Sequence, residues 1–330
     1  MTVSTAPMAA CARPPRDAYE IFRTCAEHDQ SDIPVMSFEA FLAGLAHPWP
    51  GLAAERYLGF LDGEPVGFLQ LNLPQRDNLH NVSIDQLMVL PRARRRGVGR
   101  ALLGLAVERA QALGRKHLMG STVEGHPDGS AFARAVGAAP GLTDTRSRLD
   151  VRTVDQPRLD ALLTDAWAHA EGYRLILWTG VPAEEIIDDV AYLDGRYNVD
   201  APVGDLALEQ ERVDAEKVRE TELCRIARGQ TTYSVGALHG ERLVAWTEIC
   251  GLGAAPAHAW QSLTLVAREH RGHRLGMLVK LANLAQVRQL RPRLEAIDTF
   301  NAAANEHMTR INLAMGFRAV DSSVHWQLTR

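Results

Sequence analysis

Residues 87–107 read LMVLPRARRRGVGRALLGLAV, and the rest of the chain is understood outward from this stretch. An apolar strand-like run, Leu87-Met88-Val89, enters an arginine-rich loop, and Gly97-Val98-Gly99 then opens a long apolar segment of helical composition. That order leaves the first amides of a helix without intrahelical partners, at the end carrying partial positive charge. Such a helix start seats a phosphate group, and glycines at 97 and 99 keep Cβ atoms out of its way. Two common phosphate loops are excluded: Gly99 is followed by Arg100-Ala101 instead of Lys and Ser/Thr, and Leu102 holds the place of a third dinucleotide-loop glycine.

The chain repeats these features 177 residues later. Gly63-Glu64 recurs as Gly240-Glu241, each between two strand-like runs. Val89, Arg94, Val98 and Gly99 become Val266, Arg271, Leu275 and Gly276, and Thr122 falls on Thr299. The alignment then slips by two, with AFARAVGA near Gly137 parallel to MTRINLAMGF near Gly316. One constant offset across three separate elements indicates two copies of one domain.

Arg94-Arg95-Arg96-Gly97-Val98-Gly99, with its strand before and apolar helix after, resembles the R/Q-x-x-G-x-G/A pyrophosphate loop of the GNAT family of acyl-CoA-dependent N-acyltransferases. The second half, from YRLILWTGVPAEEIIDDV through TLVAREHRGHRLGMLVKLANL to IDTFNAAANEHMTRINLAMGF, resembles the C-terminal halves of actinobacterial two-domain GNAT acetyltransferases. The tandem arrangement is shared with mycothiol synthase. The resemblance implies an α/β (α+β) chain of two tandem GNAT-fold domains, each a mixed, largely antiparallel sheet flanked by helices. Residues 1–15 are then a flexible N-terminus, 16–172 the N-terminal domain and 173–330 the C-terminal domain.

The same resemblance implies acetyl-CoA as cofactor. In the first copy Met88, Val89, Arg94, Arg95, Arg96, Gly97, Val98, Gly99 and Arg100 would bind it. In the second the set is Leu265, Val266, Arg271, Gly272, His273, Arg274, Leu275, Gly276, Asn301 and Asn305. An N–H at Val89 or Val266 would meet the thioester oxygen. The second copy departs from the family loop at Arg274, which stands where the first motif glycine belongs; its guanidinium either crowds the seat or contacts phosphate. Asn312 stands where many relatives carry the tyrosine that protonates the departing thiolate. The first copy has Ala133 there, and His126 in place of Asn305.

Acetyl transfer to an amine needs a bound thioester, a neutral nucleophile and stabilisation of the developing oxyanion. An alkylamine with a pKa near ~10 is protonated at neutral pH, so a base helps. Asp85 precedes Leu87 and Val89 by two and four residues and is expected on their face of the strand. The second copy has Ser262 there, and its acidic candidate is Glu248; in the first copy Glu124, at the end of the strand after the helix, is a weaker candidate. A carboxylate on a half-buried strand is more often solvated or ion-paired than a base, and both roles stay open for Asp85 and Glu248. The helices at 16–46 and 182–228 are expected to line the acceptor pockets.

With 330 residues, 46% hydrophobic, the chain can fill two cores. A net charge of −4 argues against nucleic acid as a partner, which makes the arginines at 92–100 a local site. Four cysteines without a CxxC indicate no metal centre and a reduced, cytoplasmic setting. No apolar run approaches the ~20 residues that span a membrane. The expected function is transfer of an acetyl group to a primary amine of a small molecule, by direct attack in a ternary complex, from a monomer or homodimer. A protein or peptide acceptor, and a non-catalytic acyl-CoA binder, are the alternatives. Mycothiol synthase-like tandems favour the second half for the chemistry, while the cleaner loop lies in the first.

Overall fold

A computed structural model describes residues 2–125, 127–200 and 202–330. The first repeat runs β1 (Val3–Pro7), α1 (Pro14–Asp29), α2 (Phe38–Ala46), β2 (Leu52–Leu61), β3 (Glu64–Pro74), β4 (Asn81–Val89), α3 (Val98–Ala112), β5 (His117–Val123), α4 (Pro127–Ala135) and β6 (Ala139–Asp150). After α5 (Gln156–Ala168) come β7 (Tyr173–Thr179), α6 (Glu184–Asp194), α7 (Tyr197–Asp200), α8 (Ala215–Ala227), β8 (Gln230–His239) and β9 (Arg242–Leu252). The chain closes with β10 (His258–Val266), α9 (Leu275–Leu290), β11 (Ala296–Ala302), α10 (Glu306–Met315) and β12 (Arg318–Thr329).

Two compact units result. One comprises Met1–Thr143, Val203–Glu209 and Ser322–Arg330, the other Asp144–Pro202 and Gln210–Asp321. In the first, strands lie in the order β1-β2-β3-β4-β5-β12; in the second, β6-β11-β10-β9-β8-β7. Pairings within these orders are antiparallel except β4 with β5 and β10 with β11. These units are not the repeats 16–172 and 173–330. The strand closing each repeat completes the sheet built mainly by the other: β6 pairs with β11 and β12 with β5. A strand joins whichever free edge matches its face pattern, and a repeat alignment cannot say whose edge that is. Arg146 and Arg148 hold β6 on β11 through Asp298, at 2.8 and 2.6 Å.

The opening residues are corrected by the structure. Instead of a flexible start, Val3–Pro7 form an edge strand on β2, from Val3 opposite Leu61 to Pro7 opposite Tyr57. Their amides and carbonyls thereby gain ladder partners.

Helix α3 shows how the first unit positions its loop. Val98, Leu102, Leu103, Ala106 and Ala110 are buried, an apolar stripe at helical spacing. A Cβ at Gly67 would lie 2.9 Å from both Val98 and Leu102, so the missing side chain lets the start of α3 settle on the sheet. The helix stops at Gly114, left-handed at φ 66°. Among the described residues, no helix is long and apolar enough to cross a membrane, and no three His, Cys, Asp or Glu side chains could hold a metal ion.

Candidate active site

Each unit contains a pair of parallel strands that part company. In the first, β4 and β5 are paired only from Asn81–His117 to Ser83–Met119. In the second, β10 and β11 are paired from His258–Ala296 to Gln261–Thr299. Beyond these pairs a gap opens on one edge of β4 and of β10. Bulges fall at the same place in both copies, leaving Asp85 unpaired against β3 and Ser262 against β9. Leu90 N–H donates to Val66 O and Ala267 N–H to Val244 O. Successive amides of a strand point to opposite edges, so the N–H groups of Val89 and Val266 face the gaps.

The loops that follow share a backbone but not a sequence. Arg95 (φ 62°) and Gly97 (φ 88°) are left-handed in the first copy, Gly272 (φ 89°) and Arg274 (φ 54°) in the second. Each copy thus places one glycine and one arginine on the two demanding positions, in opposite order. Left-handed backbone costs a non-glycine residue roughly 1–2 kcal/mol, so the shared conformation is held by the surroundings. Gly97 is favoured for its φ and not for space, with nothing within 4 Å of where a Cβ would sit. Gly99 is not needed to avoid a clash: its Cβ would meet Phe132 at an ordinary 3.6 Å.

The arginines divide by task. Arg94 donates from Nε to Val89 O at 3.1 Å and pairs with Asp29 at 2.6 Å and Asp128 at 3.3 Å. Arg95, Arg96 and Arg100 are exposed and have no partner among the described residues. They surround a helix start whose first intrahelical bond is Ala101 N–H to Gly97 O, leaving the amides of Val98, Gly99 and Arg100 outside that ladder. These free amides and cations fit a diphosphate. In the second copy Arg271 donates to Val266 O and pairs with Asp200, while Arg274 pairs with Asp165 on α5. His273 faces the carbonyl of His169 at 3.3 Å, and its ring lies 5.4 Å from that of Tyr173.

Asp85 lies elsewhere than its spacing predicts. Its carboxylate accepts from Gln70 Nε2 at 2.9 Å, and Gln70 sits opposite Gln86, so Asp85 shares the Gln70–Gln86 face and not that of Leu87 and Val89. The bulge adds a residue and breaks the two-residue alternation on which the expectation relied. Glu124 is exposed at the end of β5.

Glu248 is buried, 2% exposed, at the register position of Leu263 just past the bulge. Its Oε2 meets Arg225 at 2.7 Å, and the same guanidinium nitrogen meets Glu222 at 2.6 Å. Glu248 Oε1 and the indole N–H of Trp246 are buried without a hydrogen-bond partner among the described residues. Both residues line a cavity of about 40 Å³ that Val190 and Asp194 of α6 and Val218, Glu222 and Arg225 of α8 complete. The helices expected at 182–228 therefore do form a pocket, but Arg225, Glu222 and Asp194 went unpredicted. A Glu-x-x-Arg spacing on α8 was their signal in the sequence. Burial raises the Asp194 carboxyl to about 6, and burial together with the nearby Glu248 charge raises that of Glu222.

The matching space in the first unit is filled. Rings of Tyr19, Phe22, Phe38, Phe41 and Phe68 follow one another at centroid distances of 5.1 to 6.4 Å between α1, α2 and β3. Gln70 occupies the place of Glu248, each lying opposite the residue just past the bulge, Gln86 or Leu263. In the second unit Asn305 caps α10 by accepting from Met308 N–H, and Asn301 accepts from Asn312, whose own buried Oδ1 has no partner among the described residues. His126 lies outside the described residues.

Residues 16–137 match the model of the acetyltransferase (GNAT) family. Across 99% of this chain and 98% of the other, the structure superposes on a tandem GNAT protein from the clavulanic acid biosynthesis pathway, with 30% identity and a TM-score of 0.81. A GCN5-related N-acetyltransferase from Sphaerobacter thermophilus aligns at 15% identity and TM-score 0.65, covering 99% of this chain and 95% of that one. A putative acetyltransferase from Pyrococcus horikoshii aligns at 14% and 0.58, covering 100% and 89%. The latter two likenesses concern the fold alone. No curated protein matches the chain.

Proposed function

This chain belongs to the GNAT acetyltransferase family, and we propose that its second unit transfers an acetyl group from acetyl-CoA to a primary amine of a small molecule. The observation that carries this function is the buried, half-unpartnered carboxylate of Glu248 across the β9–β10 ladder from the gap beside β10. Acetyl-CoA supplies the acetyl group as an activated thioester. The cofactor-binding residues are the loop and strand sets of both copies, with one change of role: Arg94 and Arg271 brace the loop, while Arg95, Arg96 and Arg100 offer free cations to phosphate.

In the second unit Glu248 Oε1 accepts the proton of the bound ammonium, leaving the nitrogen lone pair free to attack. Val266 N–H, held outward by the Arg271–Val266 bond, stabilises negative charge growing on the thioester oxygen. The C–N bond of the amide forms as the C–S bond breaks, the electron pair leaves with sulfur, and the second proton that the nitrogen must lose passes to the departing thiolate. A thiol pKa near ~8.5 makes that departure feasible without a tyrosine acid. Asp85 belongs to the first unit, where an aromatic cluster occupies the acceptor side; that unit acts as an acyl-CoA seat and not as a second catalyst.

Purified protein mixed with acetyl-CoA and a panel of small amines, lysine peptides and N-terminal peptides, with free thiol followed, tests this. Thiol release with small amines supports it. Release with peptides alone moves the acceptor to protein, and cofactor binding without release makes the chain a binder.

A further inference from the structure

We infer that the acceptor is a small amino alcohol: a cation carrying a neutral hydroxyl and no carboxylate. This rests on the second unit being the acetylating one. The cavity holding Glu248 adjoins a wider recess of about 300 Å³, with Asp194, Arg225 and Leu263 in the walls of both. The recess also includes Ser262, the bulge residue of β10, so it reaches the strand that borders the gap.

Three carboxylates lining the cavity, Asp194, Glu222 and Glu248, face one guanidinium, Arg225, and the nearby Lys217, whose charge also acts on Asp194, is itself paired with Glu211. Arg225 spans Glu222 and Glu248, and Thr232 donates to the other oxygen of Glu222. What is left over is specific. Glu248 Oε1 is buried with no hydrogen-bond partner among the described residues, and the half-buried Asp194 carboxylate feels the charges of Lys217 and Arg225 without a hydrogen bond from a described side chain. Both are acceptors that an ammonium group answers. Trp246 Nε1 is the opposite case, a buried donor without an acceptor in a residue 6% exposed. It calls for a ligand oxygen. A carboxylate oxygen would answer it but would enter an enclosure already short of positive charge, and unpaired like charges are costly there. A hydroxyl accepts from the indole and returns its own proton to a neighbouring carboxylate. The near-parallel indoles of Trp178 and Trp246, 6.5 Å apart, together with Val190 and Val218, restrict the narrow part to a slim, unbranched carbon chain.

Calorimetric titration of the full chain saturated with coenzyme A, at pH 7.5, compares four probes of one length: 3-amino-1-propanol, propylamine, β-alanine and 1,3-diaminopropane. The amino alcohol is expected to bind at least about tenfold tighter than β-alanine. It should exceed propylamine by about threefold or more, the worth of one neutral hydrogen bond. Trp246→Phe should abolish the advantage over propylamine, and Asp194→Asn should narrow the discrimination against β-alanine. Equal or tighter wild-type binding of β-alanine, propylamine or the diamine overturns the inference, as does failure of all four to bind. Thiol release from acetyl-CoA is read in parallel. If the amino alcohol binds and no thiol appears, acetyl transfer is refuted and the pocket assignment stands; if other amines release thiol while the amino alcohol does not bind, the reverse holds.

Discussion

Arg94 Nε meets the carbonyl of Val89 at 3.1 Å, and 177 residues later Arg271 Nε meets the carbonyl of Val266 at 3.3 Å. N–H and C=O of one strand residue point to the same edge. The arginine therefore occupies the carbonyl of the residue whose amide faces the gap, and ties the start of the loop to the end of the strand. The arginine that leads the loop motif is a brace.

Arg94→Ala should then lower stability by about 1–3 kcal/mol, because Asp29 and Asp128 lose their charged partner. Arg96→Ala should leave the melting temperature unchanged while weakening coenzyme A binding to the first unit. Thermal melts and calorimetry on both variants separate the two roles. An Arg94 variant that melts like wild type but binds coenzyme A poorly would make that side chain a phosphate ligand.

Arg95 holds a left-handed conformation, and its exposed side chain has no partner among the described residues. Arg95→Gly relieves that strain, offset by the extra freedom of glycine in the unfolded chain, for a net gain of roughly 0.5–1 kcal/mol. The same change removes a cation from the seat, so stability should rise as coenzyme A affinity falls. Denaturant titration paired with binding measurements would reveal a parallel change if this trade-off is absent.

Glu248→Gln preserves volume and removes the proton acceptor. The expected loss in kcat is on the order of 100-fold or more, with acetyl-CoA affinity unchanged. Rates above pH 9, where more of the amine is already neutral, should recover part of that loss. A flat ratio of variant to wild type across pH would count against proton removal by this carboxylate.

Alongside Glu222, whose carboxyl is raised as well, Asp194 contributes to the pH dependence of the pocket. Its folded carboxyl titrates near 6 because it is buried, against an ordinary value of 3.8. Between those values the folded state keeps a proton that the unfolded state has released, so stability falls as pH rises through this window and levels off above it. Asp194→Asn should remove that slope and be the more stable protein at pH 7.5 by on the order of 1–2 kcal/mol. Urea unfolding at pH 4, 5 and 7.5 measures it; a wild type whose stability climbs over that range relative to the variant contradicts the sign.

Much of the fold was legible because it depends on local chemistry and repetition. The glycine-closed helices ending at Gly114, Gly137 and Gly316 follow from backbone demands written within a few residues. The repeat of Val89, Arg94 and Gly99 as Val266, Arg271 and Gly276 located both loops. The site was legible only in part. Asp85 was assigned to the wrong face because a bulge cannot be seen in an alternation pattern, and the Glu222–Arg225–Glu248 cluster joins α8 to β9 across 23 residues or more of chain.

By itself the order of residues determined that there are two copies and where each carries its strand-loop-helix seat. Those are properties of short segments and of identity at a fixed offset. Only the tertiary structure decided which sheet β6 and β12 complete, which arginines are already engaged, and which copy keeps a cavity beside its bulged strand pair. Each of those outcomes is a competition among distant groups for one partner or one space: Asp29 for Arg94, Asp165 for Arg274, five aromatic rings for the room that the second copy leaves empty. Competition of that kind is resolved by packing in three dimensions and has no signature along the chain.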